Sequence, residues 1–273
     1  MVKKKRVSAK PAKRRQGAGK SVSASAKWVG QSVKRREESR LVQGQGTYVD
    51  DNKIEGMLYL SLVRSPYAHA RVERVDVSAA ENVPGVVCTL TGAEVATLVK
   101  PFPEIGPGVG QKIIDLPMGV EKVRFQGEPV AAVVATSRMA AVDAAELVEV
   151  EYQSLAPVMD VETAIRDESV LHEAAGTNRN FHDLFEYGDV DKAFARASHV
   201  VHIDRLHFHR FTSAPLENNA VIAQWNPKQH NIDFWSNNSF PAFAMQFLSP
   251  ALGVRIDQMR MQSLDIGGGF GIK

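Results

Sequence analysis

Cysteine is nearly absent: among 273 residues only Cys88 carries a thiol. One sulfur cannot close an internal disulfide, and it cannot supply the set of thiolates that holds an iron–sulfur cluster. Cys88 sits in the apolar run Val86-Val87-Cys88-Thr89-Leu90, so a buried structural thiol is expected. Long apolar runs are missing too, and nothing approaches the roughly 20 residues a membrane-spanning helix needs. No apolar core follows the basic N-terminus, so Arg14-Arg15 is not read as part of an export signal. A cytoplasmic location is the expectation. Acidic residues are lacking before Glu37, while residues 1–27 hold ten of the 33 Lys/Arg. The other 23 basic residues face all 31 Asp/Glu, which leaves the body with a net charge of −8. That balance argues against a nucleic-acid-binding domain, and the tail reads as solvated.

What is present reads as an α+β protein. Residues 1–40 form a basic tail with almost no apolar spacing, and disorder is expected there, with structure beginning near Leu41. Residues 41–160 alternate strands and helices. Gly56–Val63, Arg71–Val77, Val86–Leu90, Pro129–Thr136 and Leu147–Tyr152 are predicted strands, although Val72 falls out of phase. Ser78 and Ser137 are candidate helix caps, and Thr91-Gly92-Ala93-Glu94 suits a turn opening a helix. Pro101–Gly119 carries four prolines and four glycines and reads as a loop or flap. A connector over 161–186 holds one short helix near Val161–Arg166. The unit 187–273 then offers helices at Asp189–Ala197 and Ala242–Ala251. Its predicted strands are Val200–Phe211, Asn219–Trp225, Ile232–Ser236 and Met259–Ile266.

Several motifs fail on inspection. Gly17-Ala18-Gly19-Lys20-Ser21 mimics the end of a phosphate-binding loop, but Arg14 stands where its first glycine belongs and no strand precedes it. His199, His202, His207 and His209 crowd together without a regular set of acidic or thiol ligands, so half-exposed strand histidines are expected. No Gly-x-Ser-x-Gly nucleophile elbow occurs. The run Gly267-Gly268-Gly269-Phe270-Gly271-Ile272-Lys273 is more informative. It follows a predicted strand and leaves main-chain N–H groups almost bare, as a backbone cradle for a ligand requires. Ile272 occupies the position of the third glycine of a dinucleotide fingerprint, so that motif is not matched, and a glycine-rich β-turn is the competing local reading.

Taken in order, five stretches resemble one family. They are Gly44-Gln45-Gly46-Thr47-Tyr48-Val49-Asp50-Asp51, Arg64-Ser65-Pro66-Tyr67-Ala68-His69-Ala70, Val123-Arg124-Phe125-Gln126-Gly127-Glu128-Pro129-Val130-Ala131, Pro215-Leu216-Glu217 and Gly267–Gly271. Together they are similar to the molybdenum-binding large subunit of the xanthine dehydrogenase, aldehyde oxidase and aerobic carbon monoxide dehydrogenase family. The resemblance covers about residues 40–273.

The resemblance implies a hammerhead-like α/β domain at 41–160, then an incomplete first molybdopterin-binding domain at 187–273. It implies a molybdenum–molybdopterin cofactor in the cytosine dinucleotide form, with FAD and 2Fe-2S clusters on partner subunits. It places Gly268, Gly269, Phe270 and Gly271 beside the cofactor. A family segment of the form Trp-x-x-Thr-Gln-x-Pro, aligned on Trp235 and Pro241, puts Ser239 where the family has a cofactor-contacting glutamine and Asn238 just before it. The family's catalytic general-base glutamate has no counterpart in this sequence. The expectation is therefore the N-terminal part of a molybdenum hydroxylase large subunit, an oxidoreductase completed by the remaining molybdopterin-binding polypeptide. An iron–sulfur small subunit and an FAD medium subunit would complete the hetero-oligomer, with no membrane and no nucleic acid. The alternative is a truncated or non-catalytic assembly protein that keeps the scaffold.

Overall fold

A computed structural model describes residues 28–103, 113, 115–209 and 212–273. The basic tail over 1–27 and most of the predicted proline- and glycine-rich flap lie outside them. The chain divides into a short unit up to Gly46 and a main unit, Thr47–Lys273. In the short unit, helix α1 (Glu38–Val42) starts a little ahead of the expected Leu41. It ends where Gly44, at φ +71°, turns its N–H onto the Leu41 carbonyl.

The main unit begins with β1 (Tyr59–Arg64), β2 (Ala70–Asp76), α2 (Ser78–Glu81), β3 (Val86–Thr91) and α3 (Gly92–Leu98). It continues with β4 (Lys122–Val123), β5 (Pro129–Ala135), α4 (Arg138–Ala145) and β6 (Glu149–Ser154). Among the described residues these strands make two antiparallel sheets, ordered β1-β5-β3 and β4-β2-β6. β5 is central, and Val130–Val133 are essentially solvent-free. A continuous run of valine and alanine buries both faces of a strand. Val130 packs with Ala70 and Val123, while Val133 packs with Ala80 and Ala144, so one strand ties two core clusters together.

Local chemistry explains most of these elements. Thr91 caps α3 in a reciprocal box with Glu94, and Ser137 caps α4 through the Ala140 N–H. The odd phase of Val72 comes from a bulge: Val72 faces Tyr152 and Arg74 faces Glu151, leaving Glu73 unopposed. Two expectations are corrected. Ser78 is the first residue of α2 and not its cap; the Asp76 carboxylate accepts from the Ser78 N–H at 3.0 Å and from its hydroxyl at 2.6 Å. Cys88 is exposed, because β3 is the outer strand of its sheet and a bulge at Val87 breaks its alternation.

Two of the motifs interlock here. The N–H of Ser65 donates to the Glu128 carbonyl at 2.9 Å, the N–H of Gly127 donates back to the Ser65 carbonyl at 2.8 Å, and the Arg64 guanidinium reaches the Gly127 carbonyl at 2.8 Å. They fasten the end of β1 to the start of β5.

The connector carries α5 (Val161–Ile165), with Asp160 accepting from the Thr163 N–H at 2.9 Å. Beyond it the chain is held to these two sheets by a Lys122–Glu173 ion pair and by the Arg124 Nε–H on the Leu171 carbonyl at 3.0 Å. The Lys122 ammonium beside Glu173 holds that carboxyl down to about 2. The folded value lies below the unfolded one, so this contribution is complete above the ordinary carboxylate range and fades as pH falls toward 2. Glu173 is more than half exposed, so the effect is small, about 1 kcal/mol or less. Acid titration of stability should show wild type losing its advantage over Glu173→Gln between about pH 4.5 and pH 2; parallel curves would show that the pair contributes nothing.

The last part holds α6 (Val190–Arg196), β7 (Val221–Asn226), β8 (Asn231–Ser236), α7 (Pro241–Leu252) and β9 (Met259–Ser263). The predicted strand Val200–Phe211 is not formed over its described residues, 200–209. Val201, Leu206 and Phe208 stand largely in solvent there, and β-forming side chains without a neighbour to pair with do not make a strand. β7 is antiparallel to β8, and β9 lies parallel on the other side of β8. Among the described residues β7 pairs only with β8. The Lys100 N–H donates to the Ala251 carbonyl at 2.8 Å, joining the chain beyond α3 to the C-terminal end of α7. Among the described residues no helix is long and apolar enough to cross a membrane.

Candidate functional site

Two parallel strands in register build the site. Ser236 at the end of β8 pairs with Ser263 at the end of β9, and the Leu264 N–H donates to the Ser236 carbonyl at 3.0 Å. The chain segments leaving the two strands therefore run side by side. One is Asn237–Phe240, which leads into α7 with Pro241 in its first turn. The other is the glycine run. A Cβ built on Gly269 would find only the Ser239 Oγ, at 3.8 Å. The ends of parallel strands are a common place for ligand crevices.

Asn238 does not present its amide in the same way. Its Oδ1 accepts from the Phe240 N–H at 2.7 Å, and its backbone carbonyl accepts from the Ser263 hydroxyl. Asn237 is buried and structural. Its Oδ1 accepts from the Ala220 N–H at 3.2 Å and its Nδ2 donates to the Asn218 carbonyl at 2.7 Å. Of the two side chains named from sequence, Ser239 faces the glycine run and Asn238 secures its own turn.

The glycine run is bent through unusual backbone angles. Gly268 has φ +103°, Phe270 +47° and Gly271 +86°. A Cβ on Gly267 would sit 2.5 Å from the Glu217 Cβ, so that glycine is needed for close approach. Among the described residues, the N–H groups of Gly268, Gly269, Phe270 and Gly271 have no acceptor. Phe270 is exposed, and a Cβ on Gly271 would meet nothing within 4 Å. Four consecutive bare N–H groups beside open space suit an oxygen-rich ligand. The residues present therefore fit a molybdopterin-type cofactor, which offers such acceptors to backbone donors.

Glu217, whose importance sequence reasoning did not specify, is the hub beneath this bend. Its Oε2 accepts from the Gly267 N–H at 2.8 Å and from the Lys273 Nζ at 3.1 Å, and its Oε1 accepts from the Val49 N–H at 3.4 Å. Its backbone also takes part: the Glu217 N–H donates to the Gly267 carbonyl at 3.2 Å, and its carbonyl accepts from the Lys273 Nζ at 2.6 Å. Burial works to raise this carboxyl, but the donors from Gly267, Asn237, Lys273 and Val49 outweigh it and hold it below the ordinary range. The Ser213 hydroxyl fixes the crest of the bend by donating to the Phe270 carbonyl at 2.6 Å. The Thr47 N–H donates to the Asp265 carboxylate at 2.7 Å, and the Asp265 N–H donates back to the Thr47 carbonyl at 3.1 Å. The sequence signal for Glu217 was Pro215-Leu216-Glu217, and Thr47 and Val49 lay in the first of the five motifs; the spatial link between them was not readable.

The histidines between His199 and His209, expected half-exposed on a strand, stand instead in exposed chain with no strand around them. His202 meets Asp204 at 3.0 Å and the rings of His207 and His209 lie 5.2 Å apart, all in exposed chain outside any strand. Among the described residues no group of three metal-ligating side chains converges.

Two antiparallel sheets followed by a glycine bend at parallel strand ends fit a cofactor-binding module. Residues 43–156 match the a/b hammerhead domain of aldehyde oxidase and xanthine dehydrogenase, and residues 171–273 match the molybdopterin cofactor-binding domain. The chain is 34% identical to the nicotine 6-hydroxylase large subunit of Paenarthrobacter nicotinovorans, over 90% of this chain and 30% of that one. It is 36% identical to the carbon monoxide dehydrogenase large chain of Afipia carboxidovorans, over 90% and 31%. The crystal structure of quinoline 2-oxidoreductase from Pseudomonas putida 86 superposes with a TM-score of 0.75 at 32% identity, over 89% of this chain and 31% of that one. The chain belongs to the xanthine dehydrogenase, aldehyde oxidase and carbon monoxide dehydrogenase large-subunit family, whose N-terminal part it matches. It spans about 30% of the length of these curated relatives.

Proposed function

We propose that this chain works as the N-terminal part of a molybdenum hydroxylase large subunit and lends one wall of the cofactor site. The observation that carries this reading is the strip of free N–H groups over Gly268–Gly271, set opposite Ser239. Gly268, Gly269, Phe270 and Gly271 would donate main-chain hydrogen bonds to acceptors on the cofactor. Ser239 would offer a hydroxyl from the facing turn, while the amide of Asn238 stays on the Phe240 N–H and keeps that turn in shape. When bound, the molybdenum cofactor would accept the two electrons released as a substrate is oxidised with oxygen from water. We assign the cofactor the cytosine dinucleotide form. Electrons would leave through 2Fe-2S clusters and FAD on a small and a medium partner subunit, in a cytoplasmic hetero-oligomer completed by the remaining molybdopterin-binding polypeptide. The domain limits that support this division of labour are a tail over 1–40, a hammerhead at 41–160, a connector at 161–186 and the cofactor wall at 187–273.

The test is purification of the tagged chain from its native host, with molybdenum quantified and the co-purifying subunits identified by mass spectrometry. Molybdenum stoichiometric with a flavin- and iron–sulfur-containing complex is expected, and a stoichiometric complex free of molybdenum and pterin would refute the reading. A second reading rests on Ser239, whose hydroxyl reaches less far than the glutamine amide expected at that position. A non-catalytic scaffold would show the assembly without turnover. In an active assembly, Ser239→Ala should lower turnover at least several-fold while molybdenum stays bound.

A further inference from the structure

The run from Gly267 to Lys273 is held at both ends by a single residue. At the start, the Glu217 carboxylate takes the Gly267 N–H and the Glu217 N–H bonds the Gly267 carbonyl. At the finish, the Lys273 ammonium returns to the same carboxylate and to the Glu217 carbonyl. The Lys273 side chain is 1% exposed and that of Glu217 15%. A buried ammonium on a buried carboxylate persists only where the geometry is good and the remaining hydrogen-bonding capacity is met, as it is here by Gly267 and Val49. Inside that closed ring one internal bond, the Ile272 N–H on the Gly269 carbonyl at 3.0 Å, shapes the turn. The Lys273 ammonium is thereby turned inward onto Glu217, while the N–H groups of Gly268–Gly271 keep no acceptor among the described residues.

We infer that Glu217 is the positioning residue of the cofactor wall: with Lys273 it closes the glycine run into a ring and so aims the N–H groups of Gly268–Gly271. The assignment rests on the function proposed above, since it concerns the same site. It makes the Lys273 ammonium part of the frame and not a ligand for a cofactor phosphate. It also gives Pro215-Leu216-Glu217 a task, because Pro215 touches the position a Cβ would take on Gly268, at 3.1 Å, while Glu217 binds the neighbouring Gly267.

Amide hydrogen exchange on the full chain tests this, with the Gly267 and Ile272 N–H groups as reporters and the β5 amides over 130–135 as the internal standard. Glu217→Ala should speed exchange of both reporters at least tenfold and leave β5 within twofold. Glu217→Gln keeps an acceptor for Gly267 but strands the ammonium, so it should give an intermediate rate. The double variant Glu217→Gln with Lys273→Met removes the unpaired charge and should exchange more slowly than Glu217→Gln alone. A purely structural role would speed β5 and the reporters together, and that result would overturn the inference. So would reporters unchanged in Glu217→Ala, or a double variant no slower than the single one. In the complex from the native host, Glu217→Ala should also reduce retained molybdenum at least tenfold; full retention would overturn the inference. A wild-type complex without molybdenum would defeat the proposed function, while the exchange rates would still decide whether Glu217 shapes the run.

Discussion

Alanine at Gly268 is expected to strip molybdenum from the complex while leaving the rest of the chain folded. Two costs fall on that position. Its φ of +103° is one that a side chain rarely adopts. Its new Cβ would also stand 2.8 Å from the Phe270 ring and 3.1 Å from the Pro215 Cβ. The exposed phenyl ring can swing aside, but the proline lies two residues from Glu217, in the segment that anchors the bend. Replacing glycine where φ is positive costs more than about 1 kcal/mol, and the cheapest relief is for the bend to open. Once open, the four N–H groups lose the arrangement that the bend gives them. Retained molybdenum should drop at least tenfold, with a change of only a few degrees in the thermal midpoint, because the bend contributes no buried apolar core side chain among the described residues. Molybdenum measured by elemental analysis at the wild-type level would show that the bend is not the gripping surface.

The second large effect falls at the start of α3. Gly92, the first residue of α3, has an ordinary φ, yet a Cβ there would lie 2.1 Å from the Gly119 carbonyl oxygen and 3.0 Å from its carbon. Neither backbone has room to retreat. The Gly119 N–H is held by the Pro129 carbonyl at 2.8 Å, and a Cβ on Gly119 would itself sit 3.0 Å from the Lys122 carbonyl and from Val123. Val123 is in the core cluster with Ala70 and Val130, so pushing Gly119 away disturbs β4 and β5 together. Gly92→Ala should cost about 3 kcal/mol, at the upper end of overpacking effects. For a unit of this size that is a fall of roughly 6–12 °C in the thermal midpoint, read by circular dichroism. An unchanged midpoint would mean that α3 can slide away from the Gly119 turn.

These two glycines show what the sequence could and could not reveal. Three helix starts were legible because their chemistry is local, whereas Ser78 lies inside α2 and not at its cap. Thr91 with Glu94, Ser137 and the acid at Asp189 declare themselves within four residues. β5 was legible because a strand buried on both faces is a solid apolar run. The pairing of Ser239 with Gly269 depends on β8 and β9 lying parallel in register, which no local pattern states. Gly92 read as part of a turn, whereas its reason is a carbonyl 27 positions later in the chain. The predicted strand Val200–Phe211 failed in the opposite sense over its described residues, 200–209: its β-branched and apolar residues suit a strand, but nothing among the described residues pairs with them. Its neighbour in sequence, the Pro215–Glu217 segment, is where the chain does become fixed.

Among the described residues nothing pairs with the outer side of β7, and that has a practical consequence. Val221-Ile222-Ala223-Gln224-Trp225-Asn226 contains no charge and no proline, and Val221 and Trp225 are more than half exposed. Natural sheets usually guard such a margin with lysine, proline or a covering segment. Produced in isolation at high concentration, the chain offers its copies a ready template for stacking strand on strand. Preparations made together with its partner polypeptides, or carrying a lysine at Ala223, should stay clear where the lone chain clouds.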